Sequence, residues 1–243
     1  IMTVSNHRPY TYPEGRIDIP SKTGREGGVK YTDWAIGNFV ERARSKPWFD
    51  HTIFVFVADH THRGRGKMDL TPANYLIPMV IWAPGKIAPQ RVEQLASQID
   101  VAPTLLGLMN FRYESRFFGA DVLAPNAPQR ALLANYQTVG WLEDGKVIEL
   151  KPGERTRVVD ADSGVELPVD AAAQALIDKA IAHYQIASES YGTGALRLDD
   201  QPRPQHPRRR PLHAVPGVRL RLRRQGRGRD EDGRRHHGRR GPG

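Results

Sequence analysis

The stretch Thr52-Ile53-Phe54-Val55-Phe56-Val57-Ala58-Asp59-His60 limits the fold more than any other part of the chain. An unbroken run of β-branched and aromatic residues ends in an acid and an imidazole. A short run that is apolar on both faces predicts a buried strand of a mostly parallel sheet. Ligands of open α/β sheets collect beyond the carboxyl ends of the strands, where Asp59 and His60 would emerge. A carboxylate and an imidazole side by side suit zinc, manganese and similar divalent ions. The same dipeptide also fits a surface turn, and the pair alone does not choose between the two.

The flanking sequence supplies the rest of a layered domain. Residues 1–10 predict a strand ending in a polar turn, and Pro and Gly punctuate a long loop from 11 to 28. Residues 31–45 predict a helix with Tyr31, Trp34, Ala35, Phe39, Val40 and Ala43 near one stripe, stopped by Pro47. Trp34 and Phe39 are read as core. After a polar loop at 61–71, Ile77-Pro78-Met79-Val80-Ile81-Trp82 predicts a second strand, with Pro78 marking an edge or a bulge. Residues 100–109 predict a helix with Asp100 as N-cap and Pro103 in the first turn. This alternation indicates an α/β sandwich, with a mostly parallel central sheet flanked by helices. From 130 to 169 short strands separated by Asp144-Gly145, Pro152-Gly153 and Ser163-Gly164 predict an antiparallel meander. Residues 170–189 then predict a long C-terminal helix. The expected organisation is 1–128, 129–195 for the meander and its helix, and a tail at 196–243.

Charge separates that tail from the body. The net charge is +9, but residues 201–243 hold 14 Arg against Asp230, Glu231 and Asp232, so the first 200 residues are close to neutral. Any basic attraction to nucleic acid or anionic lipid would be non-specific and would rest on the tail. Poor in aromatic and β-branched residues, the tail is expected to be disordered. It reads either as a basic arm or as the product of a shifted reading frame in a GC-rich gene. Cysteine is absent, which removes thiolate ligands and disulfides. No apolar run reaches the roughly 20 residues needed to cross a membrane. The first residues lack the features of a signal peptide, and the chain is expected to be a piece of a longer protein.

Five stretches, in this order, resemble one family: Thr3-Val4-Ser5-Asn6-His7-Arg8-Pro9-Tyr10, residues 31–37, residues 48–55, Ala58-Asp59-His60, and Gln98-Ile99-Asp100-Val101-Ala102-Pro103-Thr104-Leu105-Leu106. Together, over about residues 1–195, they resemble the C-terminal half of the sulfatase-like catalytic domain of lipoteichoic acid synthases and related phosphoglycerol transferases, in the alkaline phosphatase superfamily. The resemblance implies that Asp59 and His60 are metal ligands for one divalent ion, manganese first and zinc or magnesium as alternatives. It implies that His7 contacts the substrate phosphate or its glycerol, with Arg8 beside it. The nucleophile implied is a Thr that becomes phosphorylated. It is expected upstream, with a further acidic ligand and the membrane helices, so no catalytic nucleophile is assigned here and the chain alone is expected to be inactive. The implied substrate is a phosphate-bearing lipid or glycan, on the outer face of the cytoplasmic membrane in the bacterial cell envelope.

The loop after the pair adds candidates. His62, Arg63, Arg65 and Lys67, with Gly64 and Gly66 between, could grip phosphate, or could be a solvated loop of mixed charge. His62, Arg63 and Lys67 are taken as substrate-binding candidates. His51 is read as a surface-turn residue, His183 as exposed on its helix, and Tyr10, Tyr12 and Tyr75 as core or rim. Two other functions compete: a sulfatase or phosphatase acting on an ester, and a non-enzymatic basic binding module.

Overall fold

The computed structural model describes residues 1–62 and 69–197, all within one compact unit, Ile1–Pro207. Helix α1 covers Arg25–Ala43, strand β1 Phe54–Val57, strand β2 Met79–Trp82 and helix α2 Val101–Leu108. Strands β3 (Arg130–Ala134), β4 (Val139–Glu143), β5 (Lys146–Lys151) and β6 (Arg155–Asp160) follow, and then helix α3 (Ala171–Thr193).

The expected mostly parallel sheet is not found among the described residues. Strand β1 pairs antiparallel with β2, Phe54 opposite Trp82 and Val57 opposite Met79. Every strand pairing among the described residues is antiparallel. Parallel neighbours need a long crossover, usually a helix. Among the described residues between β1 and β2 the only helical piece is a single 3-10 turn at Pro72–Asn74. The strand is also less buried than its composition predicts. Phe54 is buried, but Val57 is 45% exposed and Val80 opposite Phe56 is 55% exposed. One apolar layer reaches the ribbon, where Ala43, Phe49 and Phe54 form a cluster flanked by Trp48, Phe56 and Trp82.

Helix α1 begins six residues before the predicted start. Gly24, Gly27 and Gly28 read as loop punctuation, but Gly27 and Gly28 are buried within the first turn. A Cβ at Gly27 would run into the Tyr12 hydroxyl, and one at Gly28 would stand 2.7 Å from the Ser5 carbonyl. Close approach of the N-terminal segment selects glycine here. Tyr12 is core, with its hydroxyl donating to the carbonyls of Ile19 and Pro20 at 3.1 and 3.0 Å.

The meander forms a four-stranded antiparallel sheet in sequential order. Neighbouring residues alternate between its faces. Trp141, Ile148 and Val158 meet Ala173, Leu176, Ile177 and Ala180 of α3 on one face. Leu142, Val147 and Val159 on the other face meet Leu70, with Tyr75 and Leu95 packed alongside. A sheet covered on both sides explains why apolar pairs replace strict alternation in these strands. Helix α3 starts at Asp170, whose side chain accepts from the Ala173 N–H at 2.7 Å, and ends at Gly194 in the left-handed region, φ 76°.

Candidate metal centre

The carboxyl end of β1 runs directly into the candidate pair. Asp59 and His60 side chains are 73% and 60% exposed. The Asp59 carboxylate accepts the His60 backbone N–H at 2.9 Å, closing a tight local turn. His60 Nδ1 lies 2.8 Å from the Thr61 carbonyl oxygen. A carbonyl only accepts, so Nδ1 carries the proton in this contact and Nε2 is left as the coordinating nitrogen. Nε2 stands 3.5 Å from Asp59 Oδ2. Two ligands on a tetrahedral ion, each at the usual bond length, are about 3.4 Å apart. An imidazole nitrogen and a carboxylate oxygen facing each other at this distance attract when a proton sits on Nε2 or when a cation lies between them. The donor set therefore fits a divalent ion, with Asp59 and His60 as two of its ligands. Among the described residues no group of three or more His, Asp or Glu side chains is placed to hold a metal.

Four hydrogen bonds fix the backbone around the pair. Thr61 Oγ1 donates to the Asn74 carbonyl. The Ala58 N–H donates to the Pro78 carbonyl at 3.2 Å, extending the β1–β2 ladder by one bond. The Gln98 side-chain amide donates to the carbonyls of Ala58 and Asp59 at 3.1 and 2.8 Å. Gln98 was missed as a site residue in the sequence, although it lies in the quoted 98–106 stretch. A lone exposed Gln carries no signal of its own there.

Gln98 belongs to a 3-10 turn, Gln98–Asp100, that leads into α2. Asp100 is not a simple N-cap as predicted. Ser97 and Asp100 cap each other reciprocally, and Asp100 is 2% exposed. It binds Arg130 through both oxygens at 2.7 and 2.8 Å, and accepts from the backbone N–H groups of Ser97 and Ala120. Burial pushes the Asp100 carboxyl up, but the Arg130 guanidinium and the two N–H donors outweigh it and hold the group below the usual carboxylate range. The Ser97 hydroxyl also accepts from the Leu132 N–H at 2.6 Å. The turn is thus bound to β3 at two points.

A second tie follows the loop. Leu70, 1% exposed, is embedded under the meander, and its N–H donates to Glu149 Oε1 at 3.2 Å. Glu149 is itself 1% exposed; the Lys151 ammonium stands 2.9 Å from Oε2, at an angle that makes no hydrogen bond. Arg157 reaches Asp69 at 3.5 Å and Glu149 at 3.6 Å.

The other predicted site residues are placed differently. His62 lies in the turn just after the pair, while Arg63, Arg65 and Lys67 fall outside the described residues, as does the tail from 198. His7 and Arg8 sit in the N-terminal turn, where His7 Nδ1 lies 2.7 Å from the Arg8 carbonyl. Among the described residues no hydrogen bond or ion pair joins either one to Asp59 or His60. His183, expected to be exposed, is half-buried and corrected to a packing residue. Its ring meets Trp141 at 5.0 Å and Phe118 at 5.4 Å, and burial, followed by the Arg130 charge, lowers its pKa. His51 is exposed, as expected of a surface-turn residue.

Residues 1–111 match the sulfatase family model. The chain is similar to lipoteichoic acid synthase-like YvgJ of Bacillus subtilis (strain 168), 27% identical over 124 residues, covering 44% of this chain and 20% of the relative. It is similar to phosphoglycerol transferase I of Xanthomonas campestris pv. campestris (strain B100), 28% identical over 132 residues, 54% of this chain and 19% of the relative. A solved protein of the alkaline phosphatase superfamily from Vibrio parahaemolyticus matches with TM-score 0.71 and 32% identity, over 81% of this chain and 49% of its own. The resemblance read from the sequence is therefore borne out. The chain spans about a fifth of the length of these curated relatives.

Proposed function

We propose that this chain carries part of a metal-dependent phosphoryl-transfer centre, of the phosphoglycerol-transferase kind. The observation that carries the reading is the His60–Asp59 geometry, with Nδ1 committed to a carbonyl and Nε2 facing a carboxylate oxygen at 3.5 Å. Asp59 and His60 would hold one divalent ion, manganese first, zinc or magnesium otherwise. When bound, the ion supplies Lewis-acid chemistry, activating a coordinated hydroxyl and offsetting charge on phosphoryl oxygens.

The chain's own residues supply the rest. Asp59 brings the negative charge that retains a cation, and His60 fixes its direction. His7 and Arg8, with His62, Arg63 and Lys67, would donate to the non-bridging oxygens of a phosphate-bearing lipid or glycan. The similarity to a phosphoglycerol transferase and a lipoteichoic acid synthase-like protein supports phosphoglycerol as the transferred group; the place proposed for the reaction is the outer face of the cytoplasmic membrane. Among the described residues no helix is long and apolar enough to cross a membrane. These 243 residues alone would hold the metal pair and turn nothing over, the nucleophile lying in another segment of the fold. A second reading, hydrolysis of a sulfate ester, is favoured by the sulfatase family match.

Binding of sn-glycerol phosphate, followed by NMR with magnesium present, tests the proposal. Shifts at His60 and Asp59 that require magnesium and vanish in His60→Ala are expected. Shifts that persist without the cation, or in the variant, would overturn it. Inorganic sulfate outcompeting inorganic phosphate would favour the second reading.

A further inference from the structure

We infer that Gln98 is a positioning residue for the Asp59–His60 pair, linking that pair to the antiparallel meander; the inference rests on the metal-centre reading above. Ala58 joins the ladder only through its N–H, because Pro78 opposite it has no N–H to give back, and among the described residues no strand takes the Asp59 carbonyl. The Gln98 carboxamide meets both carbonyls, one N–H to each, at 3.1 and 2.8 Å. Only the NH2 end of the amide can donate, so these contacts fix its orientation. Two carbonyls held by one planar group set the two peptide planes that flank Asp59. Those planes determine where the Asp59 carboxylate and the His60 ring start from.

Gln98 can do this because its own position is overdetermined. It is bracketed by Ser97, which accepts from Leu132 N–H, and by Asp100, which grips Arg130 through both oxygens. Arg130 and Leu132 are in β3, whose Ala131 and Leu133 pack in the sheet core. The meander would thereby act on the metal pair through three links: β3 to the 98–100 turn, the turn to Gln98, and Gln98 to the strand end. Positioning of ligands by hydrogen-bonded neighbours of this kind typically governs metal affinity by 10- to 100-fold.

Two substitutions separate this role from simple structure. Gln98→Met keeps the volume and removes the donors. Gln98→Glu keeps the shape and replaces both donors with acceptors. Both should leave the thermal midpoint of the chain unchanged, since the side chain is exposed. Both should speed exchange of the His60 amide, now held by Asp59, and weaken manganese binding about tenfold. Unchanged His60 exchange and unchanged manganese affinity in both variants would overturn the role. If the unmodified chain binds no manganese, the metal reading fails separately. In that case faster His60 exchange in the variants still supports the positioning of the turn, and unaltered exchange rejects it.

Discussion

Replacing Arg130 by Met tests the tie between the meander and the segment that matches the sulfatase model. Arg130 and Asp100 side chains are 4% and 2% exposed and joined by two bonds of 2.7 and 2.8 Å. Methionine fills much of the volume but leaves the Asp100 carboxylate buried with only the Ser97 and Ala120 N–H groups. Breaking a buried pair by removing one partner costs about 3–5 kcal/mol. For a domain of this size that lowers the melting midpoint by roughly 6–20 °C. Arg130→Lys keeps the charge but not the two-pronged fork, so its loss should be smaller. Urea denaturation at pH 7 measures both. The pH matters: the Asp100 carboxyl is held below its usual value, so its contribution is present above about pH 4 and disappears as pH falls through the lowered value. A loss below about 1 kcal/mol for Arg130→Met, the range of exposed pairs, would refute the buried-strut account.

Three further outcomes follow from the packing. Leu70→Ala should lose about 2–5 kcal/mol in the same urea assay, because Leu70 is 1% exposed beneath the meander. Asp170→Ala should lose about 1 kcal/mol with α3 otherwise intact, read by circular dichroism melting. His183 titrates below its ordinary value, so the unfolded chain takes up its proton first. Stability should therefore fall as pH drops through about 6.5. His183→Gln should flatten that part of the profile.

The sequence revealed much of this architecture, and where it misled, physical causes can be named. The meander was legible because turn residues punctuate its short apolar runs, and α3 because its Ala, Leu and Ile fall at helical spacing. Even His183 lay on the buried stripe, following Ala173, Leu176, Ile177 and Ala180 at helical intervals. The ribbon was misread because a run apolar on both faces predicts cover on both, and Val57 and Val80 instead remain exposed. The start of α1 was hidden because glycines selected for close approach look like glycines selected for a turn. Within the site, Asp59 and His60 were legible because acid and imidazole end an apolar run. Gln98 was not, since its importance lies in 39 and 40 residues of sequence separation from the carbonyls it holds. Asp100 was visible as a cap, but its ion pair with Arg130 spans 30 residues and leaves no local pattern.

The most direct test is a manganese titration of the chain followed by electron paramagnetic resonance, with His60→Ala and Asp59→Asn beside it. The account predicts one saturable class of bound manganese that is lost in both variants while their folding, by circular dichroism, stays intact. Equal manganese binding by all three chains, or none by the unmodified chain, would contradict it.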